Sequence, residues 1–237
     1  MPKPGQCEVH SLGVVEYNEA WQLQRELAAR RAADYVPDTL LLLEHPPVYT
    51  TGKRNAEINL RLPPESLGAP LIVSDRGGDI TFHGPGQLIA YAIIDLRVAS
   101  LGVVTYVRNL EEVVIRTLRD YGIESSLECG LTGVWVGPEK VAAIGVRVSR
   151  LGGAGAGWVT THGLALNVNV DLAWFERIVP CGIADRGVTS MQRLLGNSPP
   201  LPDVADRLAA HFGEVFDRDM RLAGKPLTAA SAGSAAV

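Results

Sequence analysis

Cysteine is scarce in this sequence: three in 237 residues, Cys7, Cys129 and Cys181, far apart and with no CxxC pair. That excludes a disulfide framework and a Cys-rich zinc site, and it points to a reducing compartment. Long apolar runs are missing too. The longest, Leu88 to Leu96, falls far short of the roughly 20 residues a bilayer demands, and the start, MPKPGQCEVHS, has no apolar signal-peptide core. The expected location is the cytoplasm. Nor is one sign of charge in excess: 22 basic against 26 acidic residues leave −4, so neither nucleic acid nor a membrane surface is an expected partner. GxxxxGK[ST] is absent, and the Gly-Ala run Gly152 to Gly157 lacks GxGxxG spacing and joins two strands, as a flexible hairpin tip would. The histidines and cysteines show no metal-ligand grouping, so no metal and no cofactor are expected.

What is present is ordinary globular material, 46% apolar and 20% charged, long enough for one self-sufficient core. Asn18 to Arg31 reads as a helix whose core face is Ala20, Leu23 and Leu27 with Trp21. Thr39 to Glu44 meets Pro46-Pro47 too soon for a helix, so it reads as a buried strand followed by a loop. Leu71 to Ser74, Ile80 to His83 and Gln87 to Asp95 read as strands parted by glycine-rich turns. Thr105 to Tyr121 reads as a helix stopped at Gly122, a left-handed cap. Gly133 to Val136 and Lys140 to Ser149 form a hairpin with Pro138 at the second position of its turn, and Trp158 to Val170 follows as a strand. Asp171 caps a short helix to Ile178, Thr189-x-x-Gln192 is a capping box opening another to Leu195, and Asp203 to Phe216 closes the fold. Strands outnumber helices and follow one another through short turns. The expected class is α+β (α/β in a looser scheme), a single domain over residues 1–222 with a mixed, largely antiparallel sheet flanked by helices. Residues 223–237, ending in Ala, Ser, Gly and Val, read as a mobile tail.

Four segments carry candidate chemistry, each with a structural alternative. Arg76 to Gln87 holds four glycines that let backbone approach a ligand or another strand. Alternation there puts Asp79, Thr81 and His83 on one face and Ile80 and Phe82 on the other. The segment is either a binding wall or a hairpin rim. Lys140 heads a strand on the face of Ala142, Ile144, Val146 and Val148: either it reaches out to solvent, or desolvation frees its amine for proton transfer. Cys181, between Pro180 and Gly182, is either a buried structural thiol or a nucleophile on a turn whose amides face a developing oxyanion. His162 shares a face with Trp158, Leu164, Leu166 and Val168, as a core histidine or one that orients a carbonyl.

Taken together, Glu44-His45-Pro46-Pro47-Val48-Tyr49, RGGDITFHGPGQ from Arg76, Lys140 with Ala143-Ile144-Gly145, Thr161-His162-Gly163-Leu164-Ala165-Leu166-Asn167 and Pro180-Cys181-Gly182-Ile183 resemble the lipoyl(octanoyl) transferases. The motifs keep that family's order from about Leu12 to Leu195. The resemblance implies an octanoyl-[acyl carrier protein]:protein N-octanoyltransferase of lipoate biosynthesis, on the fold shared with lipoate and biotin protein ligases. It implies Cys181 as nucleophile and Lys140 as its dyad partner. It implies an acyl groove lined by Arg76, Gly77, Gly78, Asp79, Ile80, Thr81, Phe82 and His83, with further contacts from Ala143, Ile144, Gly145, His162, Gly163, Leu164 and Ala165. Octanoyl-acyl carrier protein is the implied donor; lipoyl domains of 2-oxoacid dehydrogenase E2 subunits and the glycine cleavage H protein are the implied acceptors, with no ATP. Phe82 and the Ala/Gly-rich strands are expected to wall an apolar tunnel, each methylene giving about 0.8 kcal/mol on burial. An acidic carrier makes Lys53, Arg54, Arg147 and Arg150 a candidate docking patch. The competing readings are an ATP-dependent ligase of the same fold, which needs no cysteine, and a non-catalytic binding module, which needs no activated thiol.

Overall fold

The computed structural model describes residues 5–52, 57–97, 99, 101–151, 157–182, 186–224 and 227, with backbone alone at Glu57 and Cys181. In chain order it runs β1 (Gln6–Val14), α1 (Tyr17–Ala32), β2 (Asp38–Glu44), β3 (Val48–Thr51), β4 (Leu71–Val73), β5 (Thr81–His83) and β6 (Gln87–Ile93). Then come α2 (Val103–Arg119), β7 (Ser126–Glu128), β8 (Leu131–Val136), β9 (Glu139–Leu151) and β10 (Gly157–Asn167). The chain closes with β11 (Gly187–Val188), α3 (Met191–Leu195), α4 (Leu201–Phe216) and β12 (Asp219–Leu222). Among the described residues no helix is long and apolar enough to cross a membrane.

The leucine run of β2 shows why the sheet needs cover on both sides. Leu40 and Leu42 face one core, shared with Val113 and Leu118 of α2 and Leu208 and Phe212 of α4. Leu41 and Leu43 face the other, under Ala20, Leu23 and Leu27 of α1. A strand buried on both faces has no polar alternation to show, and each leucine removed from water contributes about 2 kcal/mol. Nine strands pair into one mixed sheet in the order β12-β1-β2-β6-β10-β9-β8-β7, with β11 added alongside β9. The pairs from β2 to β7 are antiparallel, while β1 pairs parallel with both β2 and β12. A second sheet, β4-β3-β5, closes over a third core of Tyr49, Leu67, Ile80, Phe82 and Phe175.

The fold class and most elements agree with the sequence reading, and the departures have local causes. β1 and β3 escape it because β1 carries a mixed pattern of apolar and polar residues and β3 begins directly after the two prolines. The cap of α3 is Ser190, whose hydroxyl accepts from the Arg193 N–H (3.3 Å), rather than Thr189. In the β8–β9 turn Gly137, at φ +56°, takes the first central position and Pro138 the second, because Val136 pairs directly with Glu139. Trp21 is only half-buried; Gln24 and Ala28 complete the α1 core face instead. The Gly-Ala segment 152–156 and the tail beyond Leu227 lie outside the described residues.

Candidate active site

Two antiparallel strands of small residues make the floor. Gly145 pairs with Gly163 and Ala143 with Ala165, leaving a trough with little side-chain relief. β8 pairs with β9 only as far as Ala142, and along the strand edge beyond it the Arg76–Gly78 loop docks, the Gly77 N–H donating to the Val146 carbonyl (2.9 Å). A Cβ at Gly145 would stand 2.9 Å from the Gly77 carbonyl oxygen and 3.3 Å from Arg76 Cδ, so only glycine admits the loop this close. Arg76 is buried and holds the loop shut, donating to the Thr50 carbonyl (2.6 Å), the Thr50 hydroxyl (2.9 Å), the Asp79 carbonyl (2.7 Å) and the Gly77 carbonyl (3.0 Å). The cleft between loop and floor is lined by Arg76, Gly78, Asp79, Thr81, His83, Ala143, Gly145, His162, Gly163 and Ala165, with Tyr17 and Tyr91 joining them. Ile144 and Leu164, which also belong to the core on the opposite face, border it too.

Two backbone irregularities decide what faces this cleft and the one beside it. Regular alternation would put Lys140 on the Ala142 face, against the α2 core. Instead Val134 pairs with Ala142 and Trp135 with Lys140, so Val141 is an extra residue in the ladder. That bulge reverses the side of Lys140, whose Nζ lies 4.8 Å from the centroid of the Trp135 ring. His162 departs likewise: at φ +60° it leaves the face of Leu164 and Leu166. It takes up the α1 side, 6.2 Å from Trp21 and 6.0 Å from Tyr91 between ring centroids, and its N–H donates to Gln24 Oε1 (2.6 Å). Neither deviation follows from counting residues along a strand.

Lys140 lines a second cleft with Gly77, Val107, Leu131 and Thr132, and this cleft shares Gly78, Asp79, Ile144 and Gly145 with the first. The two therefore meet at Asp79. Beside them, Pro180–Gly182 form one 3-10 turn, closed by the Gly182 N–H on the Val179 carbonyl (3.0 Å). A Cβ built on Gly182 would lie 3.3 Å from Asp79 Oδ2. Asp79 thus lies beside the turn that carries Cys181 and lines the cleft that carries Lys140. The Cys181 side chain lies outside the described residues, as do Ile183, Lys53 and Arg54.

Burial disfavours the charged forms of the rings that line the first cleft. Burial holds His83 well below the ordinary imidazole range, with His45 and Arg76 adding to it. Burial also lowers His162, against the raising influence of Asp75, whose Oδ1 accepts from Nε2 (2.8 Å). Asp75 in turn is held low by that hydrogen bond and by Arg147, 2.8 Å from its other oxygen. Burial pushes Tyr17 and Tyr91 upward. Neutral rings and small apolar side chains suit an uncharged chain. Among the described residues no three His, Cys, Asp or Glu side chains gather as metal ligands.

Residues 16–213 match the family described as the lipoyl protein ligase A/B catalytic domain. The chain belongs to the lipoyl protein ligase A/B family. An octanoyltransferase of Rubrobacter xylanophilus is 53% identical over 209 residues, spanning 86% of this chain and 90% of that one. A crystal structure of lipoate-protein ligase A bound with ATP superposes at a TM-score of 0.73 with 16% identity, covering 97% of this chain and 92% of the other. A biotin protein ligase from Aquifex aeolicus with biotin and ATP gives 0.53 at 15% identity, over 89% and 70%. At such identities the ligases speak for the fold alone, while the close relative makes this member of the ligase A/B family an acyltransferase.

Within that family fold, the sequence-based acyl wall needs one correction. Ile80 and Phe82 turn away from the cleft into the third core, where Phe82 stacks on Trp174 (5.0 Å) and meets Phe175 edge-on (5.6 Å). Alternation along β5 explains this, since Thr81 and His83 already take the cleft face. Phe82 therefore does not line this cleft. Tyr17 and Tyr91, missed in the sequence, come from α1 and β6 and are brought to the cleft only by packing. Arg147, expected as a cation for carrier docking, is tied to Asp75 and Ser149.

Proposed function

We propose that this acyltransferase moves an octanoyl group from octanoyl-acyl carrier protein to a lysine of lipoyl domains, those of 2-oxoacid dehydrogenase E2 subunits and the glycine cleavage H protein. The transfer proceeds through a thioester on Cys181, with Lys140 as its proton partner. The observation that carries the reading is Asp79, which abuts the Pro180–Gly182 turn and lines the same cleft as Lys140. Lys140 Nζ takes the thiol proton, and Cys181 Sγ attacks the thioester carbonyl. The carrier sulfur leaves and receives that proton. In the second half the acceptor amine attacks the Cys181 thioester, its proton passes to Lys140, and the Cys181 sulfur departs and regains it. The first exchange is nearly isoenergetic and the amide-forming step runs downhill, so no ATP enters. The part of the cleft lined by His83, His162, Ala143 and Ala165 holds the chain.

The test is mass spectrometry of the enzyme mixed with octanoyl-acyl carrier protein and no ATP, followed by addition of a lipoyl domain. An octanoyl adduct on Cys181 that vanishes as the domain is modified is the expected result. Undiminished transfer by Cys181→Ser, or a strict need for ATP, would overturn the reading.

A further inference from the structure

The segment Glu57–Arg61 runs alongside Arg177–Val179 as a short strap. Leu60 bridges Ile178, the Arg61 N–H donates to the Arg177 carbonyl (3.0 Å), and the Val179 N–H donates to the Asn59 carbonyl (2.7 Å). Asn59 also reaches across to a second segment. Its side-chain amide donates to Asp79 Oδ2 (2.9 Å), while Asp79 Oδ1 accepts from the Ile80 N–H (2.6 Å). The Asn59 amide and the Asp79 carboxylate lie 3.2 and 3.3 Å from where a Gly182 side chain would start. One residue therefore grips the Cys181 turn by its main chain and the acyl-cleft loop by its side chain. Among the described residues the Pro180–Gly182 turn is closed by a single backbone hydrogen bond, and no regular element follows it until β11. The strap adds an anchor from outside the turn, and sub-ångström placement of a nucleophile governs attack.

We propose that Asn59 is a positioning residue for octanoyl transfer, coupling the Cys181 turn to the acyl cleft through Asp79. The proposal rests on the reading that Cys181 carries the acyl group. Asn59 touches no substrate; it sets where the turn stands relative to the bound chain. Asn59→Asp keeps the size and the main-chain grip and sets two carboxylates face to face, so the loop and the turn separate. Asn59→Ala deletes the link without repulsion. Exchanging the pair, Asn59→Asp with Asp79→Asn, reverses donor and acceptor and restores one hydrogen bond, and the amide oxygen introduced by Asp79→Asn still accepts from the Ile80 N–H.

The experiment is single-turnover acylation by octanoyl-acyl carrier protein across these variants, with circular dichroism as a check of fold. The expected result is a drop of about tenfold or more in the maximal acylation rate of Asn59→Asp, with the half-saturating donor concentration little changed, and a smaller drop for Asn59→Ala. The exchanged pair recovers most of the loss. Wild-type acylation rates in Asn59→Asp and Asn59→Ala, or a folded exchanged pair no faster than Asn59→Asp, would overturn the proposal. Should the exchanged pair fail to fold, Asn59→Ala alone decides by the same split between rate and saturation. Cys181→Ser run in parallel separates the two ideas: full transfer there sinks the thioester reading itself, whereas its loss beside a normal Asn59→Asp sinks only the positioning role.

Discussion

Replacing Arg76 by methionine tests whether the loop over the cleft is held by its buried guanidinium. Methionine fills the stem but offers no N–H. Three carbonyls, those of Thr50, Gly77 and Asp79, lose a donor together with the Thr50 hydroxyl. At about 1 kcal/mol for each carbonyl, the low end because water in the adjoining cleft can reach them, the loss is about 3 kcal/mol. No ion pair of the described residues includes Arg76, so removing a buried cation that faces no carboxylate returns about 1 kcal/mol of desolvation. The acceptors win, and the net cost is about 2 kcal/mol, which a fold of ordinary stability survives. With a urea slope of about 3 kcal/mol per molar for a chain of this size, the unfolding midpoint falls by about 0.7 M. Because the loop is the roof of the cleft proposed to hold the acyl chain, kcat/KM for octanoyl transfer is expected to fall with it, by about tenfold or more. Arg76→Lys recovers less than half of either loss, since a single ammonium cannot span the fork of acceptors. A midpoint and a kcat/KM both unchanged in Arg76→Met would refute the account of how the roof is held.

Phe82→Ala, deep in the third core, is expected to cost about 3–5 kcal/mol in urea unfolding while leaving the ratio of octanoyl to acetyl transfer as it was. A changed ratio would return Phe82 to the acyl wall. Ala143→Leu, which fills the trough, is expected to depress octanoyl transfer more than acetyl transfer with little change in stability; equal effects on the two chains would argue that the chain lies elsewhere. The third expectation concerns acid. Burial depresses His45 from 6.5 to about 4, so between those values the unfolded chain binds a proton that the folded one refuses. Stability therefore rises with pH across that window and is lost as pH falls below 6.5, about 2 kcal/mol by pH 5 from this group alone. His83, lowered in the same direction, adds to the slope. Urea midpoints at pH 7 and 5 should show a shallower pH dependence in His45→Gln, and an identical slope would remove His45 from the acid response.

How much of this was legible beforehand varies by level. The buried run of β2, the stripe of α2, the Asp171 cap and the docked glycines of Arg76–Gly78 follow from local rules, because steric and hydrogen-bond demands within a few residues admit few solutions. The small residues of Ala143–Gly145 and Gly163–Ala165 stand out in the sequence, and their pairing across one ladder leaves a trough. The faces of Lys140 and His162 do not follow from the sequence. Period-two counting assumes an unbroken ladder, and a bulge at Val141 or a left-handed φ at His162 is set by partners distant in sequence.

By itself, then, the amino-acid order determined the class of the fold, its helices and most of its strands, and the family to which its motifs belong, since these depend on spacing and composition that travel with the chain. Tertiary structure alone decided which side chains meet. The two tyrosines in the cleft, the Asn59–Asp79 link across 20 residues and the turning of Lys140 out of the core all arise where separate segments compete for one volume. Packing resolves that competition by the sum of contacts over the whole molecule, a quantity no local stretch of sequence contains.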